Sequence, residues 1–473
     1  MTVKLRPVSY QRRRFIKALA AGGVAYAVGR TPGTSFAQMT GVGGFSDYRA
    51  LVCLFLFGGN DSWNMLIPTT TAEYNAYARS RAAGTSASLA VDKEALLPVT
   101  PTGAAVSNGF GFHPKMPEVR RMFMDGRAAI LPNVGPLMRP TSKAEYQAAN
   151  SIAHELPPQL FSHNDQQDQW LSLRGNKVLK TGWAGRVADV LAQKTSNQQI
   201  PMNVSLFGQS LFQASETVDP YVMGISGVNT FSGLDGDCCL NLERRRSVNE
   251  VIAATIDSRS NSYYHRGYAR VHDRALRYAD RLNASLSNAY KFNAFPEGTL
   301  PILGTQLRTV ARLISQRATL GMSRQIFLVA AGGYDTHDSQ LADHPKLLGE
   351  LSSSIKMFDD AMTEIGLGQQ VTLFTQSDFG RTLSSNGDGS DHGWGGTQLI
   401  VGGAVRGGRF FGDYPVLETG GPLDVGSGIL IPTLSTDQYA STLATWFGVA
   451  DRDVSAIAPY IDNFATRNLG FLA

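Results

Sequence analysis

The sequence predicts an α/β protein in which a mostly parallel sheet is covered by helices on both faces. Three observations carry that prediction. Apolar runs at Leu51–Phe57, Gln325–Ala331 and Gln370–Gln376 each end in a polar turn: GGND at Gly58–Asp61, GGYDTH at Gly332–His337 and SDFGRT at Ser377–Thr382. Near-continuous apolar runs are the signature of strands buried on both faces. Segments of helical period lie between such runs, which is the alternation of a parallel sheet. The chain also has 473 residues, 43% of them hydrophobic and 17% charged, enough for a large core in one domain.

The first 37 residues read as an export signal outside the fold. Arg12-Arg13-Arg14-Phe15-Ile16-Lys17 precedes the short apolar stretch Ala18–Val28, and Ser35-Phe36-Ala37 offers a small-x-small cleavage site. The pattern is that of twin-arginine export, which makes the export machinery a partner and the periplasm or cell exterior the expected location. The apolar stretch is too short to span a bilayer, and no later segment is predicted to cross one. Residues 1–37 hold seven of the 43 Lys and Arg and no acid, so the rest has 36 basic and 39 acidic residues, a net of −3. The basicity belongs to the signal, which argues against nucleic-acid binding.

The single domain is expected over 46–473. It opens with a strand at Tyr48–Phe57 and a polar loop region to about Gly111. A helix follows at Lys115–Gly126, with Met116, Val119, Met122 and Phe123 on one face. The pattern then predicts a strand at Ala128–Asn133, loop over Gly135–Pro158, helices at Ser162–Leu173 and Gly185–Gln193, and a strand at Met202–Phe207. Residues 208–300 break the rhythm and read as a largely helical insertion, with helices at Ser247–Ile256 and Tyr264–Tyr290. Residues 243–291 carry ten Arg and Lys against five Asp and Glu. That basic face suits a partner or an anionic substrate, or simply solvent. The alternation resumes with helix Thr305–Thr319, strand Gln325–Ala331, helix Leu341–Ile365, strands Val371–Gln376 and Thr397–Val401, and helix Thr436–Phe447. Of three cysteines, Cys53 reads as core. The adjacent Cys238-Cys239 are either a vicinal disulfide or two thiols, and no C-x-x-C spacing suggests thiolate zinc.

The chemistry is expected where the strands end, because ligands of open α/β sheets bind outside the carboxyl edge. Asp61, Asp335 and Asp378 are delivered to that edge. His337 stands two residues after Asp335, and His392 lies just before a strand. Acids and imidazoles so gathered would hold a divalent metal: zinc or manganese if nitrogen takes part, magnesium or calcium if oxygens and water do. An aspartate after a strand also serves as a helix cap or Asx-turn. Ser162 is the candidate nucleophile, at a helix N-terminus that suits a phosphate or sulfate group, although a serine there is also an ordinary N-cap. The neighbouring His163 joins it, and Arg381 could hold an oxyanion or an acid.

The export signal, LFLFGGNDSWNMLIP, LFSHNDQQDQW, AAGGYDTHDSQ, TQSDFGRT and DHGWGG, in that order, resemble the domain-of-unknown-function 1501 family. That family is grouped with the alkaline-phosphatase/sulfatase-like superfamily. The resemblance covers about Tyr48 to Phe447. It implies a three-layer α/β/α sandwich, two adjacent divalent metals, and a metal-dependent hydrolase of small phosphate or sulfate esters. Asp61 would be the first-strand ligand and Ser162 the nucleophile, with Asp335, His337, Asp378 and His392 as late ligands. The chain departs from the superfamily pattern twice. Asp335-Thr336-His337 stands where Asp-x-x-x-His is common, and Asp378-Phe379 stands where Asp-His is common. The sulfatase motif C-x-P-x-R is absent. A catalytically silent binding or scaffold protein on the same fold is the alternative reading, and metal number, substrate and oligomeric state stay open.

Overall fold

The computed structural model describes residues 44–83, 88–102, 109–148, 155–175, 180–196, 198–225, 227–228, 250–251, 254 and 262–473. The segment expected as an export signal, most of the helix expected at Ser247–Ile256 and Cys238-Cys239 lie outside the described residues.

Thirteen strands are present among them. In chain order they are β1 (Arg49–Leu56), β2 (Leu66–Pro68), β3 (Leu97–Val99), β4 (Phe110–Phe112), β5 (Ala128–Gly135), β6 (Asn203–Ser205) and β7 (Tyr221–Val222). They continue with β8 (Arg324–Ala331), β9 (Val371–Ser377), β10 (Arg381–Ser385), β11 (Ser390–His392), β12 (Gly396–Val401) and β13 (Leu434–Ser435). Eight form the main sheet in the order β13-β5-β12-β9-β1-β8-β6-β7. Every pairing in it is parallel except those of β12, which runs against both β9 and β5.

The central strand explains the layering. Alternate side chains of β1 point to opposite faces. Ala50, Val52, Leu54 and Leu56 enter one core, with residues of helices Pro117–Met124, Ile302–Ser315 and Gln340–Glu364. Leu51, Cys53 and Phe55 enter the other, with residues of helices His163–Ser172, Trp183–Leu191 and Thr436–Phe447. The molecule is thus a three-layer α/β/α sandwich, and a β strand buried on both faces needs apolar residues at every position.

Both stretches expected as loop hold structure: Gly135–Pro158 contains a short helix, Lys143–Gln147, capped by Ser142, and the stretch to Gly111 contains more. Between β2 and β3 runs a helix, Thr71–Arg81, N-capped by the Thr70 hydroxyl, which accepts from Glu73 N at 3.4 Å. Its polar sequence offers no apolar stripe to read. It packs beside a small antiparallel sheet, β2-β4-β3. Residues 386–389 are the turn of an antiparallel hairpin between β10 and β11. Of the insertion, the helix Tyr263–Ser287 is described; it seats Leu282 and Leu286 in the first core. No helix among the described residues is long and apolar enough to cross a membrane.

Candidate metal centre

The carboxyl ends of β1, β8 and β9 lie side by side, since Leu56 pairs with both Ala331 and Ser377. The loops that follow must therefore pack closely, and glycine permits it. Gly58 has φ +114°, and a Cβ there would lie 2.3 Å from Asp335 N. Gly59 has φ +83°, and a Cβ there would meet the Phe379 ring at 2.3 Å. Neither the backbone conformation nor the space admits a larger residue without strain.

On this base His163, Asp335 and His392 bring one ligand atom each to within 4.8 Å of one another. His163 is the first residue of its helix. Its Nδ1–H donates to Asp378 Oδ2 at 2.6 Å, and its Nε2 lies 3.4 Å from Asp335 Oδ2. His392, at the end of β11, donates from Nδ1 to the carbonyl of Phe161 at 2.7 Å and turns Nε2 to Asp335 Oδ1 at 3.6 Å. In both rings the nitrogen that faces an acceptor carries the proton, which leaves the Nε2 lone pair pointing to the centre. The buried Phe379 ring lies 4.8 Å from the His163 ring and 4.6 Å from the His392 ring. Phe379 is thus an aromatic floor for the two histidines.

Asp335 is half exposed and held from behind. Arg381, fully buried on β10, donates from Nη1 to Asp335 Oδ1 at 2.8 Å and to Gly58 O at 3.2 Å, and from Nη2 to Ser390 O at 2.5 Å. Burial alone would raise the Asp335 carboxyl, but the hydrogen bond and charge of Arg381 outweigh it and hold the group below the ordinary carboxylate range. Burial is also the main reason the His392 imidazole sits below its usual value. His337 occupies the rim. Its Nδ1 lies 3.0 Å from Asp391 Oδ1, and its Nε2 is 3.2 Å from Asp335 Oδ1 and 2.8 Å from His392 Nε2, where, with the His392 proton on Nδ1, His337 is the donor.

The other expected residues stand elsewhere. Asp61 is fully buried; Arg81 Nη2 donates to its Oδ1 at 2.5 Å and Gln340 Nε2 to its Oδ2. Its two oxygens thus serve a buried ion pair. Asp378 is also without exposure and accepts from Gly58 N at 3.2 Å, His163 Nδ1 at 2.6 Å and Gln167 Nε2 at 2.8 Å. Ser162 holds the N-cap position but makes no capping bond; its hydroxyl donates to Asp165 Oδ2 at 2.6 Å. Arg381, expected as an oxyanion holder, has its donors turned inward. Phe161, just before Ser162, is left-handed at φ +71°, a costly conformation for a bulky residue that aims its carbonyl at His392.

Sequence reasoning missed the supporting set of Gln167, Asp391, Phe379 and the Phe161 carbonyl. A helix start at His163 carries a signal for Gln167, four residues on and one turn above. Asp391 adjoins His392. Nothing in the sequence marks a backbone carbonyl.

The donor set suits a divalent cation: His163 Nε2 lies 3.4 Å from Asp335 Oδ2 and His392 Nε2 3.6 Å from Asp335 Oδ1, and with one ligand atom from each residue the three lie within 4.8 Å of one another, wider than the roughly 3.4 Å between ligands of a tetrahedral ion bound at about 2.1 Å. Residues 48–455 match the family model described as "Protein of unknown function (DUF1501)". No curated protein matches the chain in sequence. Among solved structures the chain is similar to a sulfatase from Pseudoalteromonas sp., at 11% identity over 94% of this chain and 73% of that one, with TM-score 0.32. It is similar also to Ps i-CgsB in complex with a neocarrahexaose (9% identity, 89% and 77% covered, TM-score 0.35) and to a 2-O GAG sulfatase (12%, 85% and 71%, TM-score 0.28).

Proposed function

This chain belongs to the DUF1501 family, and from the cluster at its sheet edge we propose that it is an exported metal-dependent hydrolase of small phosphate or sulfate esters. One observation carries the reading: His163, Asp335 and His392 converge, with Asp335 and both rings partly open to solvent, where ligands of such sheets bind. A divalent cation held by these residues would supply charge stabilisation for ester oxygens and a lowered pKa for an attacking hydroxyl. Asp378 orients His163, the Phe161 carbonyl orients His392, and Arg381 fixes Asp335 against the Gly58 turn. Ser162, next to His163, is the nucleophile this reading favours; its hydroxyl must leave Asp165 to attack.

The test is turnover of an aryl phosphate and an aryl sulfate by metal-supplemented protein. Asp335→Ala should lower it by more than the roughly 10- to 100-fold that loss of a supporting residue costs. Turnover that survives this change ends the assignment. Export is tested separately: with Arg12 and Arg13 both changed to Lys the protein should stay in the cytoplasm, and continued export through that change would refute the twin-arginine reading.

A silent metal-binding scaffold is the second reading. It is favoured by the full engagement of Arg381 with Asp335, Gly58 and Ser390, which leaves the expected oxyanion donor facing inward.

A further inference from the structure

We propose that the centre takes a single cation of the nitrogen-preferring class that includes zinc, held by His163 Nε2, His392 Nε2 and Asp335, and that Asp378 is a positioning residue that acts through His163. The inference rests on the reading of the cluster as a metal centre and departs from the two-metal expectation.

The first ground is what Asp378 already does. It is fully buried, and its two oxygens accept three hydrogen bonds, from Gly58 N, His163 Nδ1 and Gln167 Nε2. Its route to the centre runs through the imidazole. A carboxylate that receives the far N–H of a ligating histidine fixes the ring's orientation and raises its basicity.

The second ground is the balance of donors. His163 Nε2 and Asp335 Oδ2 face each other at 3.4 Å, too far for a good hydrogen bond, and the proton of His163 is committed to Asp378. A lone pair and a carboxylate oxygen in that relation are joined by a cation. At His392 the Nε2 lone pair accepts from His337 Nε2 at 2.8 Å, a hydrogen bond that a cation on His392 would replace.

The third ground is class and number. Magnesium and calcium want six or more oxygens, and zinc is satisfied by three protein ligands of which two are imidazoles. The oxygens that would build an all-oxygen site or a second one are engaged elsewhere: Asp61 by Arg81 and Gln340, Asp378 by the three donors above. His337 is not one of the group of three; its Nε2, 3.2 Å from Asp335 Oδ1 and 2.8 Å from His392 Nε2, borders the centre from the rim.

The test uses full-length chain stripped with chelator and reloaded by equilibrium dialysis, with no substrate present. One zinc per chain should bind and resist displacement by millimolar magnesium or calcium. His163→Ala should lose it. Asp378→Asn should keep the one-zinc stoichiometry with affinity about 10- to 100-fold weaker. Two zinc ions per chain, displacement by magnesium, or an Asp378→Asn loss as complete as that of His163→Ala would overturn the assignment. If Asp378→Asn does not fold, zinc-edge X-ray absorption of the wild type decides: two imidazoles in the shell support the proposal, and a shell of carboxylate oxygens alone refutes it. The outcome is separable from the hydrolase reading. Zinc bound as described without ester turnover removes the enzyme and keeps the centre; turnover supported by two ions does the reverse.

Discussion

Asp61 and Asp335 begin as equivalent aspartates after strands, and their neighbours make them different residues. Asp61 is sealed with Arg81, whose other terminal nitrogen donates to Thr382 O at 3.1 Å. Removing one partner of such a buried pair strands the other charge at a cost of about 3–5 kcal/mol. Arg81→Ala should therefore lower stability in denaturant by that amount while the folded fraction keeps its full metal content. Loss of metal from protein that is still folded would make Asp61 part of the centre after all. Gly59 tests the opposite face of the site. Its φ of +83° and the Phe379 ring leave no room for a methyl group, so Gly59→Ala must push the aromatic floor toward His163 and His392. An overpacking cost of about 1–3 kcal/mol is expected, together with weaker zinc binding, measured on the same samples. Unaltered zinc affinity in Gly59→Ala would mean that Phe379 does not set the imidazoles.

At the scale of elements, the six main-sheet strands read from sequence are six of the eight in the observed sheet, because buried strands write themselves as unbroken apolar runs such as LVCLFLF, whereas the two-residue strands β7 and β13 are too short to do so. The helices whose one face meets the sheet were equally legible. What escaped has a physical reason in each case. The helix Thr71–Arg81 owes its place to a Thr70 cap and to contacts with the β10 region, and its own sequence has no stripe. The hairpin of β10 and β11 is short and polar, yet it presents both Arg381 and His392, whose backbones pair directly. The sequence placed the strand-end residues correctly at one edge. It could not say that Asp61 and Asp378 turn their oxygens inward while Asp335 turns outward, since a residue's type does not tell which neighbour claims its lone pairs. Arg381 is the clearest instance: an arginine three residues after a strand-end aspartate suits an anion equally well, and only the register of β10 against β11 points it at Asp335.

Over the whole molecule, three buried titratable groups outside the metal-ligand set contribute to how stability answers pH. Desolvation lowers His344, whose Nε2 donates to Asn60 Oδ1 at 3.0 Å, from 6.5 to about 4. Desolvation likewise lowers His113, whose Nδ1 accepts from Lys115 N at 3.1 Å, from 6.5 to about 4. Both imidazoles are neutral in the fold and protonate more readily in the unfolded chain. Their contribution is present above pH 6.5 and is lost as pH falls toward 4. Asp437, at the start of the helix Thr436–Phe447, goes the other way: burial raises its carboxyl from 3.8 to about 7, against the backbone N–H of Tyr460 and the charge of Arg186. Its contribution is whole below pH 3.8 and is lost as pH rises through 7. Each group changes the unfolding free energy by up to about 1.4 kcal/mol per pH unit within its window. Between pH 4 and 6.5 two histidines oppose one aspartate, so stability should rise with pH at about 1.4 kcal/mol per unit. Asp437→Asn removes the opposing group and should steepen the rise toward about 2.7 kcal/mol per unit, while His344→Gln should flatten it. Urea unfolding at pH 4.5, 5.5 and 6.5 reads all three slopes, and equal slopes in the wild type and Asp437→Asn would show that Asp437 is ionised in the folded core.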